Sequence, residues 1–446
     1  MNACSSIAIR ILRHRFTVKL RALNRETAAP AGPAEWNRWG RFAQNVLLLL
    51  MLAGIVYYFA HNFAERQKGT DFTDRYAAAR MVREGYGHQL YDFHAQEQFQ
   101  IRYAGRTGEY YIHPPFETLL FLPICLWSPQ TGYLIWCLLN VGVLAYIAIM
   151  FQRHIFKRFD WRVLLPLFFL FPPVLISFLQ GQDSLLLLLV MTLAVVELRR
   201  DRNFTAGCLL TCGLFKFHIV LTVIVLVASL RRKGVLRGFA FVFVTLLLIS
   251  VGISGWAFLS AYPRFLMTLS SLPLAGIHPA GMANIRGLVS VSGVVQDAVA
   301  RLALIWIVSV LLFWHTWRSS KGSRSRFADA TNLAFGNFVL LAILVSYHLS
   351  TSDLCIALLP MGLFSQYLVE HTGIPRWARR TLLSSQWVLF LPPLHVISLA
   401  LHMYVYPIVP ILIMFLLTSA EIFRGVPRHV RGSTLVSRFP ELRNET

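Results

Sequence analysis

The sequence predicts an all-α polytopic integral membrane protein with about twelve transmembrane helices and one large external loop near its start. Three observations predict it. Of the 446 residues, 56% are hydrophobic and 14% charged, with a mean hydropathy of +0.56; soluble domains carry roughly a quarter charged residues. Apolar runs such as QNVLLLLMLAGIVYYFA and VLLPLFFLFPPVLISFL recur at lengths close to what a bilayer requires. The net charge of +21 collects in short basic stretches between those runs, the distribution that orients a membrane protein. It makes the bilayer the partner of this charge and sets nucleic acid aside.

The elements follow in order from the basic stretches. Residues 1–41 are Arg-rich and read as a cytoplasmic tail, disordered around AAPAGPAE. A span at about 42–60 then runs outward and opens the transmembrane domain, 42–423. The loop 61–115 is long, with its charges balanced, and carries carboxylates beside a bilayer, so chemistry is sought there first. Asp71 or Thr70 starts a helix that Gly85 ends, and Asp92 starts another that Gly105 ends. Phe93, Phe99 and Tyr103 would lay the second helix in the membrane interface.

The segment 114–127 is too short to span and is expected to dip into the outer half of the bilayer as a partial helix. Spans at about 130–151, 163–179 and 184–198 follow, then two pieces, 204–214 and 218–230, that turn at FKFH and return. Residues 235–256 lead to a second external loop at about 257–297. Spans at about 298–317, 330–346, 354–369, 381–400 and 403–422 complete the set, with a basic cytoplasmic tail at 424–446. Under this parity RHIFKRFDWR, RRDR, RRK and RSSKGSRSR all fall inside, together with both termini. The six cysteines occur without CxxC or Cys/His spacing, so neither a metal site nor a disulfide is expected.

The same parity carries the unusual polar residues to the outer face: Asp71 and Asp74, Gln182 and Asp183, Lys216 and His218, Arg286, and His348 with Asp353. A charge at membrane depth costs about 2.5–3.5 kcal/mol on insertion scales, so several at one depth point to a shared cavity. Each also has a plainer reading. Asp71 and Asp74 suit a helix N-terminus, Gln182 and Asp183 can end two apolar helices, and Lys216 can snorkel. His218 can be structural, His348 with Asp353 a local pair, and Arg286 solvated surface. Taken together, Lys216, His218, Arg286 and His348 supply donors and positive charge for an anionic phosphate. Asp71, with Asp74 second to it, supplies a base for a hydroxyl proton. The sequence contains no Walker loop and no GxGxxG, and an activated donor outside the cytoplasm is most simply delivered on a lipid.

DFTDRYAAARMVREGYGHQLYD followed by YIHPPFETLLFLPICLW resembles the signature of glycosyltransferase family 87. GQDSLLLLLV, LFKFHIVL, MANIRGL and SYHLSTSDLCIALLP match in order, over about 45–420. The resemblance implies a GT-C membrane fold and a polyprenyl-phosphate-mannose-dependent α-mannosyltransferase that inverts at the sugar, without a metal or other cofactor. It implies that Asp71 is the catalytic aspartate; Asp74 has no such counterpart in the family. With Asp71 as the base, Lys216, His218, Arg286 and His348 are read as binding the donor phosphate, and Asp74, Tyr76, Gln182, Asp183 and Asp353 as supporting residues. The implied partners are the lipid-linked donor and a glycolipid or glycan acceptor, at the periplasmic face of a bacterial inner membrane. The chain departs from the family pattern at YHLSTSD, where a His is usually followed closely by Tyr-Asp. A multi-pass transporter or lipid flippase is the other class of reading, since twelve spans with both ends inside suit it. It lacks the repeat between halves that such a protein would show.

Overall fold

The computed structural model describes residues 71–424, apart from 106–108, 231, 272–278 and 323–327, together with Val46. The tails expected at 1–41 and beyond 424, the first span at 42–60 (Val46 apart), and the loop residues 61–70 lie outside the described residues. Among the described residues every regular element is helical.

Two helices lie in the large first loop, α1 (Asp71–Arg83) and α2 (Phe93–Ala104). Gly85 follows α1 at φ 87°, and Gly105 caps α2 at φ 75°, where its N–H bonds the Ile101 carbonyl. Asp92 caps the start of α2 by accepting from the Ala95 N–H at 2.8 Å. The aromatic residues of α2 differ from expectation. Phe93 packs on Phe265 with centroids 4.6 Å apart, Phe99 is buried against Tyr86, and Tyr103 rests on Tyr76. Phe99 and Tyr103 join the loop's own core and Phe93 packs against α11, so these rings meet protein instead of lipid.

The short segment between loop and bundle breaks into a 3-10 turn (Pro115–Glu117), α3 (Thr118–Phe121) and a second 3-10 turn (Ile124–Leu126). None is long enough to span. α4 (Pro129–Met150) continues through a π turn to Ile155. α5 (Trp161–Phe169) and α6 (Pro172–Gln180) are bent by 69° at a proline pair, since Pro172 and Pro173 lack the N–H groups that would continue the helix. α7 (Ser184–Arg199) is followed by α8 (Asn203–Cys212) and α9 (Phe217–Ser229). Then come α10 (Lys233–Ser254), α11 (Phe258–Ser271), α12 (Ile285–Ser292) and α13 (Ala298–Gly322). α14 (Ala328–Val345), a 3-10 turn (Thr351–Ala357) running into α15 (Leu358–Glu370), α16 (Arg376–Leu389), α17 (Pro392–Ala400) and α18 (Ile408–Arg424) complete the chain.

Four of these segments are long and apolar enough to cross a membrane, or up to seven if each bent pair counts as one span. The apolar stretch of α13 buries none of its residues inside the protein and that of α10 only 11%, whereas Thr351–Glu370 is 83% buried. Helices apolar all round and uncovered by protein are solvated by lipid. The protein is a membrane protein, all-helical among the described residues.

α7 orders the bundle's two ends. At its C-terminus Arg199 hydrogen-bonds the His154 carbonyl and Asn332, and nearby Arg232 donates to the Leu198 carbonyl and Asn203 Oδ1, both at 2.9 Å. Arg232 follows α9 and Asn203 begins α8, so the α8–α9 pair returns to the end of the bundle where it started, as expected of a turn at FKFH. At the other end of α7, Asp183 meets Lys216 from the α8–α9 turn, and Ser184 donates to Asp353 at the start of the 351–370 helix. Basic loops gather at one end and the unusual polar residues at the other.

Candidate active site

The second end of the bundle holds a cavity of about 630 Å³ lined in part by the large first loop. Its floor is set by the turn Gly181-Gln182-Asp183. Two aromatic side chains of α4 fix where α6 stops: the Tyr133 hydroxyl donates to the Phe178 carbonyl at 2.7 Å and Trp136 Nε1 to the Gly181 carbonyl at 2.9 Å. Gly181 sits at φ 65°, and a Cβ there would lie 2.6 Å from Phe72 Cβ. Only glycine fits both demands, and it brings Gln182 against Asp71, the neighbour of Phe72.

Arg75, four residues after Asp71 and 1% exposed, is the hub. Its Nη1 donates to the Asp71 carbonyl at 2.8 Å and lies 3.4 Å from Asp74 Oδ1; its Nε donates to Glu117 Oε1 at 3.1 Å. Nη2 donates to Gln182 Oε1 at 3.0 Å, meets His113 Nε2 at 2.9 Å and lies 3.7 Å from Asp183. Since a guanidinium only donates, His113 Nε2 is the acceptor and its proton sits on Nδ1. Burial and the nearby Arg75 charge push that imidazole well below its ordinary pKa, which keeps it neutral. His113, Glu117 and Asp183 present ligand atoms within 4.8 Å of one another, a grouping that can hold a metal. Arg75 reaches all three, so a positive charge already occupies that grouping.

Lys216 makes a second knot. Its Nζ lies 3.1 Å from Gln182 Oε1, 3.3 Å from Asp183 Oδ1 and 3.2 Å from Asp353 Oδ1. An ammonium has three donors, and these three partners use them. Asp353 also accepts from the Ser184 hydroxyl at 2.8 Å and the Ser350 N–H at 3.0 Å, the latter in a capping box that starts the 351–370 helix. Lys216 therefore offers a ligand its field more than a free donor.

Of the residues singled out in the sequence, Asp71, Asp74, Gln182, Lys216, His218 and His348 line this one cavity. Asp183 and Asp353 stand behind it, fully buried on Lys216. Two do not line it. The Tyr76 hydroxyl donates to the Trp127 carbonyl at 2.7 Å and ties α1 to the 114–127 segment. Arg286 stacks on Tyr347, 4.1 Å from the ring centroid, and bonds the Tyr347 carbonyl at 2.8 Å, next to His348. Sequence reading passed over Arg75, Glu109, His113 and Glu117, and also the wall formed by Ser398, Leu399, His402 and Tyr404.

The cavity's titrating groups are shifted in useful directions. Burial raises the Asp71 carboxyl above its ordinary range, while Arg75 and Lys216 pull it back. Burial takes Asp74 well above that range. Glu109 opens onto cavity water, yet the surrounding protein and the Asp71 charge push it to about 7. For Asp183 burial is outweighed by Lys216 and Arg75, which hold it below the carboxylate range. Burial lowers His348 to about 4, so it meets a ligand as a neutral imidazole. His218 and His348 lie with ring centroids 6.2 Å apart, and among the described residues His218 Nε2 and His348 Nδ1 are buried without a hydrogen-bond partner. Buried polar atoms are normally satisfied, and both of these residues line the cavity.

A base-strength carboxylate, a nearby positive field and unsatisfied imidazoles in a cavity at a bundle's end can take a proton from a hydroxyl and hold an anionic leaving group. No curated protein and no solved structure matches the chain. The model of glycosyltransferase family 87 matches residues 111–346, more than half of the 446: the chain belongs to that family and is a membrane glycosyltransferase.

Proposed function

We propose that the protein moves a hexosyl group, specifically mannosyl, from a polyprenyl-phosphate sugar to an acceptor hydroxyl on a glycolipid or glycan, with inversion. Asp71 takes the hydroxyl proton as the acceptor oxygen bonds the anomeric carbon. The bond from that carbon to the phosphate oxygen breaks, and its electron pair leaves on the polyprenyl phosphate. His218 and His348 donate to that phosphate, and Lys216 lends its field, with Arg286 at the edge beside His348. In this reading the chain is a GT-C enzyme of about twelve spans in a bacterial inner membrane. Both termini are cytoplasmic and the cavity faces the periplasm.

The observation that carries the reading is the position of Asp71. It lines one cavity with two unsatisfied imidazoles, and that cavity adjoins an apolar groove of about 310 Å³. The groove runs between α9, α10 and α11 and shares Phe217 and Leu266 with the cavity. A phosphate at the imidazoles with its hydrocarbon chain in the groove matches both surfaces, which a water-soluble nucleotide sugar would not. Family membership favours a transferase over a transporter.

Incubating the purified protein with radiolabelled polyprenyl-phosphate mannose and membrane lipid extract tests this. The expected result is label in a new glycolipid or glycan, lost in Asp71→Asn. Transfer from a nucleotide sugar with none from the lipid-linked donor would overturn it.

A further inference from the structure

We propose that Gln182 is the positioning residue for Asp71, its side-chain amide held one way round by two cations so that the opposite end grips the carboxylate. The proposal rests on the reading of Asp71 as the base. Gln182 is 4% exposed. Its Oε1 accepts from Arg75 Nη2 at 3.0 Å and from Lys216 Nζ at 3.1 Å, and its Nε2 donates to Asp71 Oδ2. The two ends of an amide are usually hard to tell apart, but here the chemistry decides. Reversal would set an NH₂ group against a guanidinium and an ammonium and leave two oxygens facing each other at Asp71.

The amide also works as a spacer. A carboxylate in direct contact with Arg75 and Lys216 would be held ionised and weakened as a base, as a close opposite charge lowers a carboxyl by about one to three units. General-base efficiency falls as the pKa drops away from the working pH. Gln182 binds both cations on one oxygen and passes to Asp71 only a neutral N–H bond. That bond engages Oδ2 and leaves Oδ1 for the acceptor hydroxyl. The backbone gives it a rigid seat, since the Gln182 N–H bonds the Ser177 carbonyl at 2.9 Å and Trp136 holds the Gly181 carbonyl.

Gln182→Glu tests the arrangement. The new side chain is the same size and still satisfies Arg75 and Lys216, so the protein folds, but its second oxygen faces Asp71 without a proton to donate. Charged groups already facing Asp71 are Asp74 and Arg75 on its own helix, Glu109, Asp183, Lys216 and Asp353. These stay the same in the variant. Two carboxyls sharing one proton raise the pair's upper apparent pKa, so the acid limb of kcat/KM should rise by about one to three pH units. The neutral Gln182→Met should lower kcat with little change in the KM for donor, a split that simple unfolding does not give. An inactive Asp71→Asn beside a Gln182→Glu with the wild-type acid limb, or beside a Gln182→Met with wild-type kcat, would sink the positioning role alone. Activity surviving in Asp71→Asn would sink the base reading and this proposal with it.

Discussion

Lys216 Nζ lies 3.2 Å from Asp353 Oδ1, and each side chain is at most 4% exposed. The pair joins the α8–α9 turn to the start of the 351–370 helix across the floor of the cavity. Removing one member of a buried ion pair typically costs about 3–5 kcal/mol, because the other is left charged and unpaired. Lys216→Met should therefore destabilise the protein by about that much, and adding Asp353→Asn should recover part of it by removing one stranded charge. Thermal unfolding in detergent measures both. A Lys216→Met variant as stable as wild type would show that the contact does not hold the floor together.

Gly181→Ala should damage activity more than stability. Its positive φ strains any L side chain, which costs about 1–3 kcal/mol, and its Cβ would press on Phe72. Either way Gln182 and Asp71 are pushed apart. The expected result is a folded protein whose kcat falls by at least an order of magnitude. Wild-type kcat in a folded Gly181→Ala would mean that the turn tolerates the displacement.

These two sites separate what the sequence could tell from what it could not. Lys216 and Asp183 were legible because each is a charge set among apolar residues, which is expensive without a partner. Gly181 was legible only as a helix stop. Arg75, the hub of the site, looked like one of many balanced charges in a polar loop. Its partners Glu117, His113 and Gln182 are far away in sequence, and no local pattern encodes that. The spacing His113–Glu117, i to i+4 across two prolines and just before an apolar segment, was the one available hint. The kink in α5–α6 follows from Pro172 and Pro173, yet the sequence reads there as one continuous apolar run. The cavity wall at 398–404 was missed because His402 and Tyr404 look like interfacial residues at a helix end.

Membrane sidedness can be read by thiol labelling in a background lacking the six native cysteines. Gln98 lies exposed on α2 in the large first loop, and Arg200 is exposed at the basic end of the bundle. Gln98→Cys in intact cells should react with an impermeant maleimide, and Arg200→Cys should react only after permeabilisation. The reverse pattern would place the cavity on the cytoplasmic side.

Glu109 should leave a mark on the pH profile. With its carboxyl near 7, it gains negative charge across neutrality, and that charge opposes ionisation of Asp71. In Glu109→Gln the opposing charge is gone at every pH, so Asp71 ionises earlier and the acid limb of kcat/KM moves down. The shift should be under about one unit, because Glu109 faces water that screens it. An upward shift would mean that Glu109 helps Asp71 ionise and would reverse the sign of the coupling.

Asp71→Asn is the sharpest test of the site. Asn keeps the size of the side chain, suits the first turn of α1 as well as Asp does, and still offers an oxygen to Gln182 Nε2. The partners that hold the site together, Arg75, Lys216 and Gln182, all keep their contacts, so folding and donor binding should persist. What disappears is a group able to accept the acceptor's proton. An alcohol has too high a pKa to attack at neutral pH without that help, and a positioned base contributes about 10²–10⁴ in rate. Turnover should therefore fall by that factor while the KM for donor stays near wild type. Asp74→Asn should be milder, because Asp74 Oδ1 is already committed to the Arg75 N–H at 2.6 Å. If Asp71→Asn keeps more than about a tenth of wild-type turnover, well short of that loss, proton transfer lies elsewhere. Glu109, with a pKa near 7 and an open face on the same cavity, then becomes the residue to mutate next.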